Sequence, residues 1–275
     1  MEDWQIYPPE HDTAGHSVTG HMLVLEKVHS PELRNQREIY VYLPPSYKTG
    51  EQRYPVLYMH DGQNLFDQAT AFSGEWQVDE TMEAAAAGGL EAIVVGIPNM
   101  GGERCDEYSP FVDPKVAGGG CAKHYMKFIV ETLKPLIDRD FRTLPDRAHT
   151  GMVGSSMGGL VSVYGLFRHP ETFGFIGAMS PSLWVDERSI LEYVSRATEV
   201  MGRIYLDIGT GEGEAHVKNI QHLRDLLLSQ GYLPGQELMY VEEEGAGHEE
   251  AAWARRFPQV LFFFMASTQA PSPTS

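Results

Sequence analysis

Basic residues are scarce in this chain of 275 residues, which carries 21 Lys and Arg against 38 Asp and Glu and a formal net charge of −17. The chain therefore lacks a cluster of Lys and Arg large enough to displace counterions from a phosphate backbone. We expect no nucleic acid as a partner. The acidic surface instead favours neutral or cationic small molecules through its field.

Long apolar runs are also lacking, and the first residues do not have the pattern of a secretory leader. The longest apolar stretch, "VLFFFMA" near residue 260, is far too short to span a bilayer, and "MEDWQIYPPEHD" at the start has neither a basic nor an apolar segment. The two cysteines, Cys105 and Cys121, form no disulfide framework and favour a reducing compartment, with a bridge between them as the alternative. We expect a soluble cytoplasmic protein with no signal peptide and no membrane partner, of open oligomeric state.

What the chain does contain is enough apolar material for one large core, since 42% of its residues are hydrophobic. We predict a single domain over residues 20–266, preceded by an N-terminal extension at 1–19. The final stretch "STQAPSPTS", residues 267–275, has the composition of a disordered tail.

Strand and helix patterns alternate along the chain. The runs "GHMLVLEKVHS" and "REIYVYLPPSY", joined by the turn-rich "SPELRNQ", predict an antiparallel pair of strands at the start. Near-continuous apolar runs such as "YPVLYMHDG" and "EAIVVGIPN" are typical of strands buried on both faces. Later strands alternate with helices, including a long helix at 121–141 that Pro135 should kink and a last helix from Glu249. This order predicts an α/β fold with a mostly parallel central sheet flanked by helices.

The stretch "HTGMVGSSMGGLVSVYGLF", residues 149–167, contains the pattern Gly-x-Ser-x-Gly at Gly154, Ser156 and Gly158. A strand that ends in small residues precedes this pattern, and a helix follows it, as a nucleophile elbow requires. Such an elbow would lift the Ser156 hydroxyl above the carboxyl edge of the sheet, where ligands of open α/β folds bind. We predict Ser156 as a nucleophile, and the alternative is a glycine-rich turn with an idle serine.

A serine hydroxyl needs a base, and the base needs an acid that holds its tautomer. His248 lies between the last strand and the last helix, where it completes the chain order Ser, acid, His, and the other ten histidines fit less well. The acid should follow the strand "RIYLDIGT". Both Glu212 and Glu214 are within reach, whereas Asp207 lies inside the strand. We favour Glu212 and keep the other two as alternatives.

Acyl transfer also needs donors directed at the developing oxyanion. In this architecture one donor is the backbone N–H after the nucleophile, which belongs to Met157, and the other comes from a loop after an early strand. The segment "YMHDGQNLFD" is suitably placed for that loop. Because Gly62 permits an unusual turn, the N–H of Gln63 can point into the cleft.

The same segment has polar side chains that invite two interpretations. His60, Asp61 and Asn64 can lock the loop through side-chain hydrogen bonds. A metal site formed by His60, Asp61 and Asp67 is the alternative, but a convergent further ligand is not evident in the sequence. We therefore predict neither a metal nor a cofactor.

The chain resembles a known family in the segments "HDGQNLFD", "GEWQVDE", "DEYSPF", "GSSMGGL", "SPSLWV", "LDIGTGEG" and "GHEEAAWARRFPQVLFF". Together they look like the putative esterase family of α/β-hydrolases, which includes S-formylglutathione hydrolases, feruloyl and acetylxylan esterases, enterochelin esterases and mycolyltransferases. The likeness covers roughly residues 20 to 266. It implies the α/β-hydrolase fold, with Ser156 as nucleophile, His248 as base, an acid in the loop that holds Glu212, and oxyanion donors at Gln63 and Met157.

The residues and the resemblance together predict a serine carboxylic-ester hydrolase that acts on small acyl esters through an acyl-enzyme intermediate. An acyltransferase with the same triad and a noncatalytic binding protein of the same fold are the alternatives. Three aromatic residues, Trp76, Tyr108 and Trp184, are candidate substrate-binding residues that could wall the cleft around an aromatic or sugar-like group, or else belong to the core.

Overall fold

A computed structural model describes residues 3–9, 11, 14–116, 118–197 and 199–268. The strands in this part of the chain are β1 (Gln5–Tyr7), β2 (His21–Ser30), β3 (Asn35–Leu43), β4 (Val56–His60), β5 (Ile93–Ile97), β6 (Val112–Asp113), β7 (Gly118–Gly119), β8 (Thr150–Ser155), β9 (Phe175–Met179), β10 (Arg203–Gly209) and β11 (Leu238–Glu243). The α-helices are α1 (Val78–Ala86), α2 (Arg104–Tyr108), α3 (Ala122–Lys127), α4 (Lys134–Asp140), α5 (Met157–Arg168), α6 (Ser189–Ser195), α7 (Glu214–Ser229) and α8 (Glu250–Thr268). The predicted tail lies outside the described residues from residue 269 onward.

One nine-stranded sheet runs through the molecule in the order β1-β2-β3-β5-β4-β8-β9-β10-β11. Within this sheet, the neighbours in the series β5-β4-β8-β9-β10-β11 pair parallel, and those in the series β1-β2-β3-β5 pair antiparallel. The strands β6 and β7 form a separate antiparallel pair. The predicted mostly parallel sheet with an antiparallel N-terminal pair is therefore confirmed. The strand β1 lies within the predicted N-terminal extension and adds an edge strand that the sequence did not reveal.

Helices cover both faces of the sheet because its central strands are apolar on both sides. Every residue of β4, β5, β8 and β9 is buried. On one face, α1 and α8 contribute Met82, Trp253 and Phe257 to the core. On the other face, the helices from α3 to α7 pack residues such as Leu160 and Leu223 against the sheet. This is the layered arrangement that buried parallel strands require.

The long helical segment predicted at 121–141 is present as consecutive helical pieces. A π-helical turn at Phe128–Leu133 joins α3 to α4, and Pro135 lies in the first turn of α4. Proline has no N–H, and its ring collides with the carbonyl four residues earlier, so regular α-helical bonding cannot continue through it.

The loops that matter for function follow neighbouring parallel strands and meet at one edge of the sheet. The loops after β4, β8 and β9 begin with Asp61, Ser156 and Ser180, and the loops after β10 and β11 hold Glu212 and His248. Because these strands are parallel, their carboxyl ends share one edge, where the ligands of open α/β sheets bind. Among the described residues, no helix combines the length and hydrophobicity needed to cross a membrane.

Candidate active site

Ser156 occupies a strained turn between β8 and α5, with a φ of 55° and a ψ of −121°. Such backbone angles are costly for a residue with a Cβ and persist only where the surroundings enforce them. The N–H of Ser156 donates to the carbonyl of Met179 over 3.0 Å. A Cβ on Gly154 would lie 2.7 Å from the carbonyl carbon of Gly158, so the turn requires a glycine there. The turn leaves Ser156 partly exposed above the sheet edge.

His248 is joined to Glu212 by a hydrogen bond of 2.6 Å between Nδ1 and Oε2. Because an ionised carboxylate can only accept, Nδ1 donates, and Nε2 is left free to take a proton. The Glu212 side chain is only 1% exposed. Its burial alone would raise the carboxyl pKa, but hydrogen bonds from His248, Ser180 and the N–H of Gly209 hold the pKa below its ordinary value.

Ser180 connects Glu212 to a buried network beneath it. The Ser180 hydroxyl donates to Glu212 Oε1 over 2.6 Å and accepts from Trp253 Nε1 and Arg256 Nη2 over 3.1 and 3.0 Å. One donor and two acceptor positions are all that a hydroxyl offers, so Ser180 is fully used. Arg256 is itself buried and pairs with Glu243 over 3.0 Å. The carboxylate of Glu212 is thus held in one orientation from below.

Two other carboxylates were alternatives for the acid, and the structure gives each a different partner. Glu214 is exposed and pairs with Lys218 on the same helix. Asp207 is fully buried in β10, and its Oδ2 lies 2.9 Å from Arg256 Nε. Of the three candidates, Glu212 is therefore the carboxylate that contacts His248.

Ser156 and His248 line the same two cavities but do not yet share a hydrogen bond in the part of the chain that the structure describes. The Ser156 hydroxyl lies 3.2 Å from the Ser182 hydroxyl instead. Hydrogen bonds between a nucleophile and its base are often long or absent in a free enzyme and tighten once substrate is bound.

Two cavities meet at Ser156 and His248. The larger one, here called the main cleft, has a volume of about 1080 Å³ and is also lined by Gln63, Trp76 and Trp253. The smaller one, here called the side pocket, has a volume of about 520 Å³. Its other lining residues include Ser182, Trp184 and His216. An ester group above Ser156 can therefore place its two halves in separate compartments.

The two predicted oxyanion donors lie at the first turns of helical segments. Met157 is the first residue of α5, and Gln63 lies in a short 3₁₀ turn at Gly62–Asn64. The N–H groups at such positions have no partner within their own helix and can serve a ligand. Gln63 also lines the main cleft beside Ser156.

In the loop that carries Gln63, the role of Gly62 differs from the prediction. The positive φ, 55°, belongs to Asp61. Gly62 is required for space, since a Cβ there would lie 2.6 Å from the backbone of Gly96 and Ile97. Close approach to β5, and not a left-handed conformation, is the reason for a glycine at this position.

Polar contacts of Asp61, Asn64 and His60 hold this loop in place. Arg104 binds the Asp61 carboxylate through Nε and Nη2 over 2.7 and 2.8 Å, and Asn99 Nδ2 donates to it over 2.7 Å. The Asn64 side chain accepts from the N–H of Phe72 over 3.0 Å. His60 is buried beneath the loop and pairs with the hydroxyl of Tyr125 over 2.8 Å.

The metal interpretation of His60, Asp61 and Asp67 places these residues in one site, and the structure does not. Asp67 pairs with Tyr7 and His16, away from the partners of the other two. Burial lowers the pKa of His60 to about 3, which keeps its imidazole neutral. Cys105 and Cys121 are both free thiols.

The three candidate substrate-binding aromatics have different positions. Trp184 is 42% exposed and lines the side pocket, and Trp76 lines the main cleft. Tyr108 does not wall the cleft, which corrects the prediction: it is fully buried, and its hydroxyl accepts from the N–H of Asp61 over 3.1 Å. Its ring lies behind the loop because α2 packs there against α3 and α5.

Sequence reasoning missed Ser180 and Trp253 as residues of the site. Trp253 meets the imidazole of His248 edge to face, with ring centroids 4.9 Å apart and planes at 87°. Both residues lie in segments singled out by the resemblance, "SPSLWV" and "GHEEAAW", but no spacing rule assigns them a partner. Their contacts depend on how β9 and α8 pack in the folded chain.

The chain is similar to a protein family and to several known proteins. The profile of the family described as "Putative esterase" matches residues 30–264. "Uncharacterized protein YbbA" of Bacillus subtilis (strain 168) is 28% identical over 238 residues, which cover 82% of this chain and 91% of that protein. "Ferri-bacillibactin esterase BesA" of the same organism is 27% identical over 240 residues, covering 78% and 81%. The solved structure of BES protein from Bacillus cereus matches with a TM-score of 0.71 at 25% identity, covering 90% of this chain and 95% of that one.

Proposed function

The chain belongs to the "Putative esterase" family of α/β-hydrolases and is an ester-hydrolysing enzyme, and on this premise we propose that it is a serine carboxylic-ester hydrolase with Ser156 as its nucleophile. One observation carries the proposal. His248, which Glu212 holds, lines both of the cavities that Ser156 lines, and Ser156 occupies a strained elbow between β8 and α5. This is the combination of nucleophile, base and orienting acid that acyl transfer needs.

The reaction begins when the Ser156 hydroxyl breaks its contact with Ser182 and attacks the ester carbonyl. His248 Nε2 takes the hydroxyl proton, and Glu212 stabilises the imidazolium through Nδ1. The carbonyl oxygen becomes an oxyanion that accepts hydrogen bonds from the N–H groups of Gln63 and Met157. Collapse of the tetrahedral intermediate breaks the bond to the alcohol, which leaves with the proton from His248.

Deacylation uses the same groups, with water in place of Ser156 as the attacking nucleophile. Water attacks the acyl-enzyme carbonyl while His248 Nε2 accepts its proton, and the second tetrahedral intermediate collapses to release the acid. The proton then returns from His248 to the Ser156 oxygen. No cofactor takes part in either half of this mechanism.

The lining of the main cleft supports a neutral or cationic ester as the substrate. Glu249 and Glu250 line it, and the positive charge of its Arg104 is matched by the bidentate contact with Asp61. These carboxylates would repel a polyanionic ester, and Arg104 is already paired and cannot offset that repulsion. The aromatic side chains of Trp76 and Trp253 offer flat apolar contact for an aromatic or sugar-like group.

A substrate panel tests the proposal. p-Nitrophenyl esters from acetyl to dodecanoyl, a feruloyl ester, an acetylated sugar and a trianionic ferric catecholate ester are compared on wild type and on Ser156→Ala. We expect hydrolysis of neutral esters by wild type only. Added alcohol or sugar acceptors reveal any acyl transfer as a new ester product. Faster turnover of the trianionic ester would contradict the proposed substrate class, and equal turnover by Ser156→Ala would contradict the nucleophile.

A further inference from the structure

Three carboxylates lie together at and just before the start of α1. Glu75, Asp79 and Glu80 each offer an oxygen, and these oxygens all lie within 4.8 Å of one another. Glu75 Oε1, Asp79 Oδ1 and Glu80 Oε2 are buried and have no hydrogen-bond partner in the part of the chain that the structure describes. Within that part, none of the three carboxylates forms an ion pair with Lys, Arg or His. Asp79 as a whole is 0% exposed.

The remaining oxygens of two of these carboxylates are held from outside the cluster. Ser17 Oγ donates to Glu75 Oε2 over 2.9 Å. The N–H of Thr19 donates to Asp79 Oδ2 over 2.6 Å. Each of these side chains is thus fixed through one oxygen, while its other oxygen faces the cluster. Supporting hydrogen bonds of this kind orient the ligands of metal sites.

Acidic residues in the first turn of a helix also complement its dipole, and this explanation covers part of the cluster. It accounts for a negative charge at Asp79 and Glu80. It does not account for Glu75, which precedes α1, or for the buried oxygens that have no hydrogen-bond partner among the described residues. A buried carboxyl group is paired with an opposite charge, coordinates a metal or keeps its proton, because desolvation of the charge is otherwise too costly. Burial and the neighbouring carboxyl of Glu80 raise the pKa of Asp79, so a bound cation would displace a proton from this pair.

We propose that Glu75, Asp79 and Glu80 bind a Ca²⁺ ion. The donors are all carboxylate oxygens, with no His or Cys among them, and such sets suit hard cations. Ca²⁺ binds oxygens at about 2.3–2.6 Å, so oxygens on opposite sides of the ion are roughly 4.6–5.2 Å apart. The spacing within the cluster lies inside this limit. Water or backbone oxygens would complete the coordination, as Ca²⁺ sites commonly allow.

The ion would fasten the N-terminal segment to a wall of the main cleft. Ser17 and Thr19 reach the cluster from that segment, and Trp76 lies in the chain between its first two ligands. Trp76 packs against Trp253 with ring centroids 5.8 Å apart. The site is therefore structural: it holds the segment and the aromatic wall, and it does not touch Ser156.

Two measurements on the full chain test this proposal. After exhaustive treatment with EDTA and its removal, CaCl₂ is titrated by calorimetry, and Tb³⁺ is titrated with excitation of tryptophan, since Trp76 adjoins Glu75. We expect one Ca²⁺ per chain, Tb³⁺ emission that Ca²⁺ abolishes, and a rise in Tm of about 5 °C at a free Ca²⁺ concentration roughly one hundred times Kd.

Matched variants separate ligation from a general loss of charge. Glu80→Gln and Asp79→Asn should each weaken Ca²⁺ binding at least tenfold and remove the rise in Tm. Glu83→Gln removes one negative charge from the same helix and should bind like wild type, because its oxygen still accepts from the Tyr42 hydroxyl. If Asp79→Asn fails to fold, the half-buried Glu80 still provides the comparison.

Several results would overturn the proposal. Wild type could give neither heat nor Tb³⁺ emission at millimolar cation, with the same Tm in Ca²⁺ and EDTA, which would mean that Asp79 and Glu80 share a proton instead. Undiminished binding by Glu80→Gln or Asp79→Asn would place the ion elsewhere. Tighter binding of Mg²⁺ than of Ca²⁺ would refute the assignment of the ion.

Discussion

The carboxylate of Glu212 holds the imidazole of His248 through a hydrogen bond of 2.6 Å across 36 positions of the chain. The second oxygen of Glu212 accepts from Ser180 Oγ and from the N–H of Gly209. Both oxygens are therefore occupied before any substrate arrives. Because His248 lines both cavities, variants of the groups that hold it should change turnover without removing the fold.

Ser156→Ala should abolish covalent labelling by an organophosphate and lower kcat by about 10⁴- to 10⁶-fold, because the nucleophile is lost while the oxyanion donors remain. The measurements are mass spectrometry after labelling and steady-state hydrolysis of a p-nitrophenyl ester. Ser155→Ala is the matched control. Its side chain is buried, and the variant should retain labelling. Labelling that persists in Ser156→Ala and disappears in Ser155→Ala would move the nucleophile by one residue.

Glu212→Gln should lower kcat by up to about 10⁴-fold, since an amide can donate to Nδ1 and stabilise the wrong imidazole tautomer. Glu214→Gln is the control, because that carboxylate is exposed and pairs with Lys218 along its helix. It should cost far less. A large loss of kcat confined to Glu214→Gln would show that the acid is misassigned, while leaving Ser156 and His248 in place.

Asp207→Asn should act through stability more than through turnover. Asp207 is fully buried beside Arg256, and removal of one member of a buried ion pair leaves the other charge uncompensated. We expect a lower Tm, with kcat per folded molecule close to wild type. Circular dichroism melts and active-site titration measure the two quantities separately. A fall in kcat at unchanged Tm would instead assign Asp207 a role in the chemistry.

The pH dependence of stability should carry the signature of Glu212. Its folded-state pKa lies below the ordinary value of 4.5, so its contribution to stability is present above that pH and is lost as pH falls through the folded pKa. The difference in Tm between wild type and Glu212→Gln should therefore be largest above about pH 5 and shrink toward pH 3. Melts across this range measure it. A difference that stays constant with pH would contradict the ionised pair.

The sequence predicted the elements of the site that have local patterns. Apolar runs revealed the strands because those strands are buried on both faces, and the spacing of Gly154, Ser156 and Gly158 revealed the elbow because only small residues fit where β8 turns into α5. Chain order selected His248. In each case the physical requirement acts on neighbouring residues, so it leaves a readable pattern.

Contacts between distant segments left no such pattern. Ser180 meets Arg256 from 76 positions away, and Thr19 meets Asp79 from 60 positions away. The short strand β1 has only three residues and gains its place by pairing with β2. The prediction that Tyr108 walls the cleft failed for a similar reason. Its position in the sequence does not reveal that the ring turns to the core when the helices pack.

Ser180→Ala should lower kcat by roughly tenfold to a hundredfold while leaving KM nearly unchanged, because loss of a hydrogen bond to a charged group costs about 1.5–3 kcal/mol. Ser180 acts through Glu212 and is a positioning residue. Trp253→Phe removes one donor to the Ser180 hydroxyl but keeps an aromatic ring beside His248, and it should cost less. Profiles of kcat against pH should shift in Ser180→Ala, which a purely structural role would not produce.

Chelation should separate the proposed chemistry from the proposed Ca²⁺ site. The oxyanion in our mechanism is stabilised by the N–H groups of Gln63 and Met157, so no Lewis acid is needed at the reacting carbonyl. After exhaustive EDTA treatment, kcat for a p-nitrophenyl ester at 25 °C should match that of the untreated enzyme, while Tm falls. Glu80→Gln provides the matched comparison, since its kcat and Tm should not respond to EDTA. A loss of kcat in wild type that a divalent cation restores, at a temperature where the protein stays folded, would defeat the serine-only mechanism.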